Sequence, residues 1–320
     1  MPDTTEATAT LGHENWPLSD PGPSVASTFE SSIPNWEKAL EVGALGLICA
    51  TAVVSNFSLW LVVLTTKSLR NESNFLILCL SLADLLVSVV SMPITVATIV
   101  SGGWTFPHKM CTALGYINML AFVSSVESLG VISINRYVKI CHPSQFIDIY
   151  TTRSVLLMFA GVWLISGIMS LPPLFGWAKY SYLPLSSICF CDWPRSPSYA
   201  FFMIACCFCV PCGVMTVCYI RILLAFRQSR KTLQARREEI RLTTSLLVVV
   251  ALFIVCWFPY CISMFMSIYR PDLSGRALDM TSLLLGYMNS CVNPIVYGLM
   301  NKRFKEGYRK LFTKCRFRIG

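Results

Sequence analysis

Residues 111–142 read CTALGYINMLAFVSSVESLGVISINRYVKICH. The run opens on Cys111, stays apolar for the length of a bilayer crossing, and ends on Asn135-Arg136-Tyr137. A helix that crosses the hydrocarbon core needs roughly 20 apolar residues. A sulfur at one end and an arginine at the other give this run a direction. It reads as a spanning helix fixed at one face of a membrane and presenting a cation at the other.

Working outward, six more runs share its length and apolarity. The seven are approximately 40–64, 75–100, 113–134, 155–174, 199–224, 242–267 and 280–300. The 320-residue chain is 54% hydrophobic and only 13% charged, against roughly a quarter charged in soluble domains. Helices are expected, because lipid gives the backbone no hydrogen-bonding partner and the runs lack the alternation of a barrel strand. The expected fold is an all-α, seven-helix membrane bundle over 37–300.

The net charge is +9. If the N-terminus lies outside, the cytoplasmic segments hold Lys67, Arg70, Arg136, Lys139, Arg153, the basic residues from Arg221 to Arg241 and those from Lys302 to Arg318. Only Lys38, Lys109, Lys179, Arg195, Arg270 and Arg276 remain outside. This asymmetry orients the chain. The cations flank membrane spans, so nucleic-acid binding is not the reading. Most of the fifteen cysteines lie inside the spans, where a free thiol packs as a small hydrophobe.

Residues 1–36 are rich in Pro, Ser, Thr and acid, a composition expected to be a disordered extracellular tail. No N-glycan is expected: Asn15 and Asn35 lack the acceptor pattern, and Asn56 and Asn71 lie in the membrane and on its inner side. Past residue 300, Phe304, Tyr308, Leu311 and Phe312 share one helical face and Lys and Arg the other, the pattern of an interfacial helix in a 301–320 tail. Cys315 follows, where a palmitoyl group could add an anchor.

Polar residues inside the spans mark function, since each is expensive in lipid. Asp84 stands in span 2, and Asn118, Ser125 and Glu127 in span 3. Glu127 is read as hydrogen-bonding to a neighbouring helix. Pro93 is expected to kink span 2, and Pro259 in Cys256-Trp257-Phe258-Pro259 to kink span 6. Trp257 beside that kink is a candidate moving part.

Taken in order, Asn56, LSLADLL with Asp84, Cys111, Asn135-Arg136-Tyr137, Trp163, Pro211 with Tyr219, Cys256-Trp257-Phe258-Pro259 and Asn293-Pro294-Ile295-Val296-Tyr297 resemble the rhodopsin-like (class A) G protein-coupled receptors. The likeness touches all seven spans. INRYVKICH and NSCVNPIVYGLMN are most similar to melatonin receptors.

The resemblance implies a disulfide from Cys111 to the second extracellular loop, with Cys189 preferred and Cys191 left open. It implies a switch set of Asn135, Arg136, Tyr137, Tyr219, Glu239, Trp257, Pro259, Asn293, Pro294 and Tyr297. Where most of the family has an acid before the arginine, this chain has Asn135, which leaves Glu239 as the carboxylate to hold Arg136. It implies a sodium ion at Asp84, Ser125, Asn289, Ser290 and Asn293, a donor set suited to a hard cation. The ligand positions carried over are Asn118, Met119, Phe122, Met203, Cys207, Trp257, Tyr260, Met264, Leu283 and Tyr287. Asn118 replaces the aspartate of amine receptors, and Tyr287 replaces the retinal-binding lysine of opsins. Pro172-Pro173 replaces the asparagine of melatonin receptors. The remaining pocket suits a neutral or lipid-like small molecule.

Implied partners are a heterotrimeric G protein, by analogy Gi/o, an extracellular ligand and the plasma membrane. Ser144 and Gln145 stand where the family has a bulky docking residue, followed by Phe146. Thr313 is the one tail phosphorylation site beyond Met300, so arrestin recruitment through the tail is expected to be weak. Two other readings compete. One is a transporter or channel using Asp84 and Glu127, without the internal repeat many transporters show. The other is a non-signalling decoy of the same fold. His13, His108 and His142 are scattered and no nucleophile–base pair is apparent, so an enzyme is not expected.

Overall fold

The computed structural model describes residues 33–228 and 233–319, with side chains undescribed at 228–242, 312 and 314–319. Seven helices long and apolar enough to cross a membrane follow one another. Spans 1 to 7 are Asn35–Thr65, Glu72–Ser101, His108–Cys141, Thr152–Phe175, Pro197–Arg227, Thr243–Tyr269 and Arg276–Met300. An eighth helix, Lys302–Ile319, follows. Burial ranks the spans. The most apolar stretches of spans 3, 2 and 7 are 67%, 61% and 56% buried, against 22–28% in the other four. Spans 2, 3 and 7 are therefore the core of the bundle, and the others turn apolar side chains outward, as a bundle in lipid requires.

Local chemistry sets the ends. The Asn71 side chain accepts a hydrogen bond from the Asn74 N–H at 3.1 Å and starts span 2, and Thr151 Oγ1 does the same for Ser154 at 3.2 Å in span 4. Span 2 stops at Gly102, whose φ of 64° is the left-handed conformation glycine adopts without a Cβ penalty. The expected disturbance near Pro93 takes the form of a π-turn, Val87–Ser91, immediately before it. A second π-turn, Ile204–Cys209, precedes Pro211 in span 5. Proline supplies no N–H and crowds the preceding turn, and widening that turn relieves the conflict. Pro259 and Pro294 lie inside continuous helices. At Pro294 the missing N–H leaves the Ser290 carbonyl without its helical donor. Asn56 Nδ2 takes that carbonyl at 2.8 Å, while Asn56 Oδ1 accepts from Ser81 at 2.8 Å, so one amide ties spans 1, 2 and 7.

Between spans 4 and 5 lies a hairpin. β1, Tyr180–Leu183, pairs antiparallel with β2, Ile188–Cys191, placing Tyr180 opposite Cys191 and Leu183 opposite Ile188. All four β2 residues are buried. The hairpin lies against span 3 so closely that a Cβ at Gly115 would come within 2.8 Å of the Tyr180 side chain. Tyr180 in turn donates to the Ser170 carbonyl at 2.7 Å.

Two large apolar cores result among the described residues, beside a small cluster of Cys111, Leu114 and Cys189. One, at the hairpin end, packs Met92, Met119, Tyr180, Phe190, Tyr199, Leu283 and Tyr287. The other, at the end carrying Arg136, packs Leu80, Leu129, Ile132, Tyr219, Phe253, Tyr297 and Phe304. Phe304 is fully buried 5.9 Å from the Tyr297 ring, and Gly307 lets the eighth helix press onto Val62, where a Cβ would stand 2.6 Å from Cγ1.

Candidate functional site

Span 3 supplies the spine of the site. Cys111, at its first turn, is joined to Cys189 of β2 with Cα atoms 5.3 Å apart, and Cys191 is a buried free thiol. The disulfide draws β2 across the mouth of the bundle. There the Cys189 carbonyl accepts from Asn118 Nδ2 at 3.0 Å, and the Asn118 oxygen accepts from the Ser91 hydroxyl. Phe190 stands edge-on to Tyr260 at 5.9 Å, and Trp193 Nε1 donates to the Tyr260 hydroxyl at 2.9 Å.

Beneath β2 a cavity runs from Ile188 and Phe190 down to Asp84. It is slender, about 40 Å³. A water needs roughly 10–15 Å³ on this measure, so the space holds about three. Six of the ten expected ligand positions line it: Asn118, Phe122, Trp257, Tyr260, Leu283 and Tyr287. Met119, Met203 and Cys207 do not. They are packed into the surrounding core, with Cys207 pointing its thiol at Met203 Sδ, 3.9 Å away. Met264 faces a second cavity of about 140 Å³ beside Asp279, whose carboxylate accepts from Ser263. Helical period alone cannot separate a lining methionine from a packed one.

Ile188 and Phe190 were absent from the expected set. Their signal is present in YSYLPLSSICFC, where two short runs rich in aromatic or branched residues flank Pro-Leu-Ser-Ser, a hairpin pattern.

The turn of the hairpin is fixed by a buried cation. Arg276, the first residue of span 7, donates to both oxygens of Glu41 in span 1 at 3.0 and 2.6 Å. Its remaining Nη1 donates to the Pro184 carbonyl at 3.0 Å and Ser187 Oγ at 3.1 Å. Arg276 and Glu41 are 8% and 4% exposed. By sequence, Arg276 counts among the outside cations and Glu41 is not singled out.

The floor is Trp257. Its indole lies 4.5 Å from the Phe122 ring and 6.2 Å from Phe253, and against Gly286, where a Cβ would stand 3.3 Å from the ring edge. Below it, Asp84, Ser125, Asn289 and Ser290 line the deep end of the same cavity, and Asn293 Nδ2 donates to Asp84 Oδ2 at 2.9 Å. The amide oxygens of Asn289 and Asn293 are buried without a hydrogen-bond donor. A carboxylate, hydroxyls and two unused amide oxygens fit a hard monovalent cation. Among the described residues, Asp84 is the only charged side chain lining the cavity, and it lies at the end far from the hairpin.

At the opposite end of span 3, Arg136 is buried and its Nε has no partner. Among the described residues no carboxylate pairs with it. Instead it faces the phenols of Tyr219 and Tyr297 from spans 5 and 7. The Tyr219 hydroxyl accepts from Ser133 at 3.4 Å, and the Tyr297 hydroxyl is buried without a partner. Asn135 lies beside the Tyr150 hydroxyl without reaching hydrogen-bond geometry. Burial raises the Tyr150 phenol above its ordinary range. The neighbouring Tyr137 hydroxyl meets His142 Nε2 at 3.0 Å. The Glu239 and Cys315 side chains lie outside the described residues. Glu127 is half-buried and, contrary to expectation, finds no hydrogen-bond partner among the described residues; its environment is the Cys207 side of the π-turn in span 5.

Comparison with known proteins gives this geometry its setting. Residues 55–297 match the model of the 7 transmembrane receptor (rhodopsin family). Melatonin receptor type 1B of Homo sapiens is 31% identical over 288 residues, covering 87% of this chain and 79% of the receptor. Melatonin receptor type 1B-B of Danio rerio is 30% identical, covering 88% of this chain and 84% of its own. The crystal structure of squid rhodopsin shares the fold with a TM-score of 0.80 at 21% identity, over 88% of this chain and 87% of the squid chain. With seven spanning helices in one bundle, a disulfide-tethered hairpin over its cavity and this family match, the chain belongs to the rhodopsin family of seven-transmembrane G protein-coupled receptors, is related to melatonin receptors, and is not an enzyme.

Proposed function

We propose that this receptor takes a small neutral, predominantly apolar ligand beneath the hairpin and passes the signal to a heterotrimeric G protein of the Gi/o class. The observation that carries the ligand reading is the placement of charge. The cavity has aromatic walls, its polar groups near the hairpin are neutral, and its one carboxylate lies at the deep end. Among the described residues lining this cavity, an ammonium ligand would find no counter-ion near the hairpin. Relatives named for melatonin, a neutral indole amide, support the same class. Pro172-Pro173 at the end of span 4 supports a ligand other than melatonin itself.

The slenderness of the cavity supports entry coupled to movement of β2, because Asn118 and Tyr260 are already engaged by Cys189 and Trp193. Ligand contact at Trp257 then acts on span 6 about Pro259, and the opposite end of the bundle rearranges around Arg136. A sodium ion among Asp84, Ser125, Asn289, Ser290 and Asn293 would favour whichever state holds it more tightly. The basic residues flanking the Arg136 end support a cytoplasmic placement of that end and an extracellular N-terminus at the plasma membrane. The Gi/o reading rests on the short connector between spans 5 and 6 and on the melatonin-like sequences INRYVKICH and NSCVNPIVYGLMN.

The test is ligand-free G protein activation and cyclic AMP in cells expressing the chain, beside Arg136→Ala at matched surface expression. The expected result is a Gi/o signal that disappears in Arg136→Ala. A signal through another G protein class redirects the coupling assignment. Silence in every class, persisting with neutral apolar ligands applied, favours the decoy reading, which Asn135 and Ser144 support.

A further inference from the structure

One recess belongs neither to the ligand cavity nor to the Arg136 end. It is an open groove of about 680 Å³ on the outer face of the bundle, where spans 1 and 7 meet the eighth helix. Thr51, Ser55 and Ser58 form one wall from span 1, and Pro294, Ile295, Gly298 and Leu299 the other from span 7. Its walls are mainly apolar or small, and its rim residues Val54 and Leu299 are 65% and 67% exposed, so the groove opens sideways into the hydrocarbon.

One end is chemically different. Lys305 and Tyr308 of the eighth helix close it, and among the described residues Lys305 is the only charged side chain lining the groove. Glu306, next in sequence, does not line it. The position of Lys305 is built in. Phe304 is buried under Tyr297 and Gly307 is pressed onto Val62, which fixes the helix by the residues on either side of the lysine. Gly298 lets the Tyr308 ring lie on span 7, where a Cβ would stand 3.2 Å from the ring. The Tyr308 hydroxyl is buried there without a hydrogen-bond partner.

An apolar slot open to lipid, closed at the interfacial end by a fixed cation, has the shape and charge of half a phospholipid site. We infer that the groove holds one anionic phospholipid, with an acyl chain between spans 1 and 7 and the phosphate at Lys305. A single cation near a membrane surface strengthens binding of an anionic headgroup about fivefold. The inference needs only that the chain spans a membrane, so it stands or falls apart from the ligand and coupling proposals.

The test is native mass spectrometry of the purified receptor equilibrated with phosphatidylserine or phosphatidylcholine of identical chains. The wild type is expected to retain one phosphatidylserine about fivefold more strongly than phosphatidylcholine. Lys305→Ala should abolish that preference, Lys305→Arg should restore it, and Ser55→Phe, which fills the slot, should displace both lipids. Lys302→Ala, on the same helix but outside the groove, should behave as wild type. Each variant is accepted only with an unchanged thermal midpoint. Lys305 is exposed, so its substitution leaves the core intact. Equal retention of the two lipids by the wild type overturns the inference. So does an equal loss in Lys302→Ala, which would assign the effect to diffuse charge. A dimer that Ser55→Phe dissociates, with no lipid retained, would show instead that a second copy covers the groove.

Discussion

Among the described residues two arginines are buried, at opposite ends of the bundle, and they are treated differently. Arg276 is 8% exposed and spends its donors on the Glu41 carboxylate, the Pro184 carbonyl and the Ser187 hydroxyl. Arg136 is 6% exposed, faces two phenols, and pairs with no carboxylate among the described residues. Burying a charge costs several kcal/mol unless it is paired and hydrogen-bonded. The first arrangement offsets that cost in place and locks the hairpin to spans 1 and 7. The second gives Arg136 no carboxylate among the described residues, at the end from which a rhodopsin-family receptor is expected to reach its G protein. An arginine anchored by its own carboxylate resists movement, and one with no carboxylate among the described residues can exchange partners.

Breaking the satisfied arginine should give the largest effect on stability. Arg276→Met strands the Glu41 carboxylate and should lower the unfolding free energy by about 3–5 kcal/mol, read as a fall in the thermal midpoint of the purified receptor. The double variant Glu41→Gln/Arg276→Met should recover most of that loss. If the double variant falls as far as the single, the pair is not what holds the hairpin turn. The disulfide at the other edge of the hairpin comes next. Cys189→Ser opens a closure spanning 78 residues and should cost about 2–4 kcal/mol by the same measurement. A neutral result would mean that β2 is held by its hydrogen bonds and packing alone.

Arg136 should respond in the opposite way. Asn135→Asp places a carboxylate beside it, and a charge-assisted hydrogen bond contributes about 1.5–3 kcal/mol. The resting state should gain by that amount, so ligand-free signalling should drop about tenfold or more while the thermal midpoint holds or rises. An unchanged basal signal, in this variant and in Glu239→Ala, would remove Arg136 from the switch. The smallest effect belongs to a third arginine, Arg270, paired with Asp272 at 2.9 Å on the surface. Arg270 lowers the Asp272 carboxyl, so its contribution is present above the unfolded carboxyl range and is lost as pH falls through the folded value. Water and salt screen an exposed pair, so Asp272→Asn should leave the thermal midpoint unmoved at neutral pH. A clear fall would place this loop in the stabilising network of the hairpin end.

How much of this was legible depends on the kind of signal. The spans are written in single residues and their runs, because lipid forces each crossing to be helical and apolar. Asn118, Phe122, Trp257, Tyr260, Leu283 and Tyr287 line the cavity beneath β2, and sequence similarity could point to them because it preserves position along a helix. Met119, Met203 and Cys207 pack into the core beside that cavity, a distinction that helical period alone does not carry. Glu41 and Arg276 were missed because their partnership joins residues 235 apart. Ile188 and Phe190 were missed because four-residue strands are short signals inside a loop.

The sequence by itself determined a seven-helix membrane protein of the rhodopsin family, its charge asymmetry and the lack of an acid beside Arg136. These follow from local composition and from the uniform demand that a bilayer places on a backbone. Only the tertiary structure decided that β2 fills the mouth of the cavity, that Glu41 satisfies Arg276 while Arg136 stays unpaired by any described carboxylate, and that Lys305 closes a lipid-facing groove. Each of those depends on atoms brought together across many residues of chain, where packing distance rather than residue type sets the outcome.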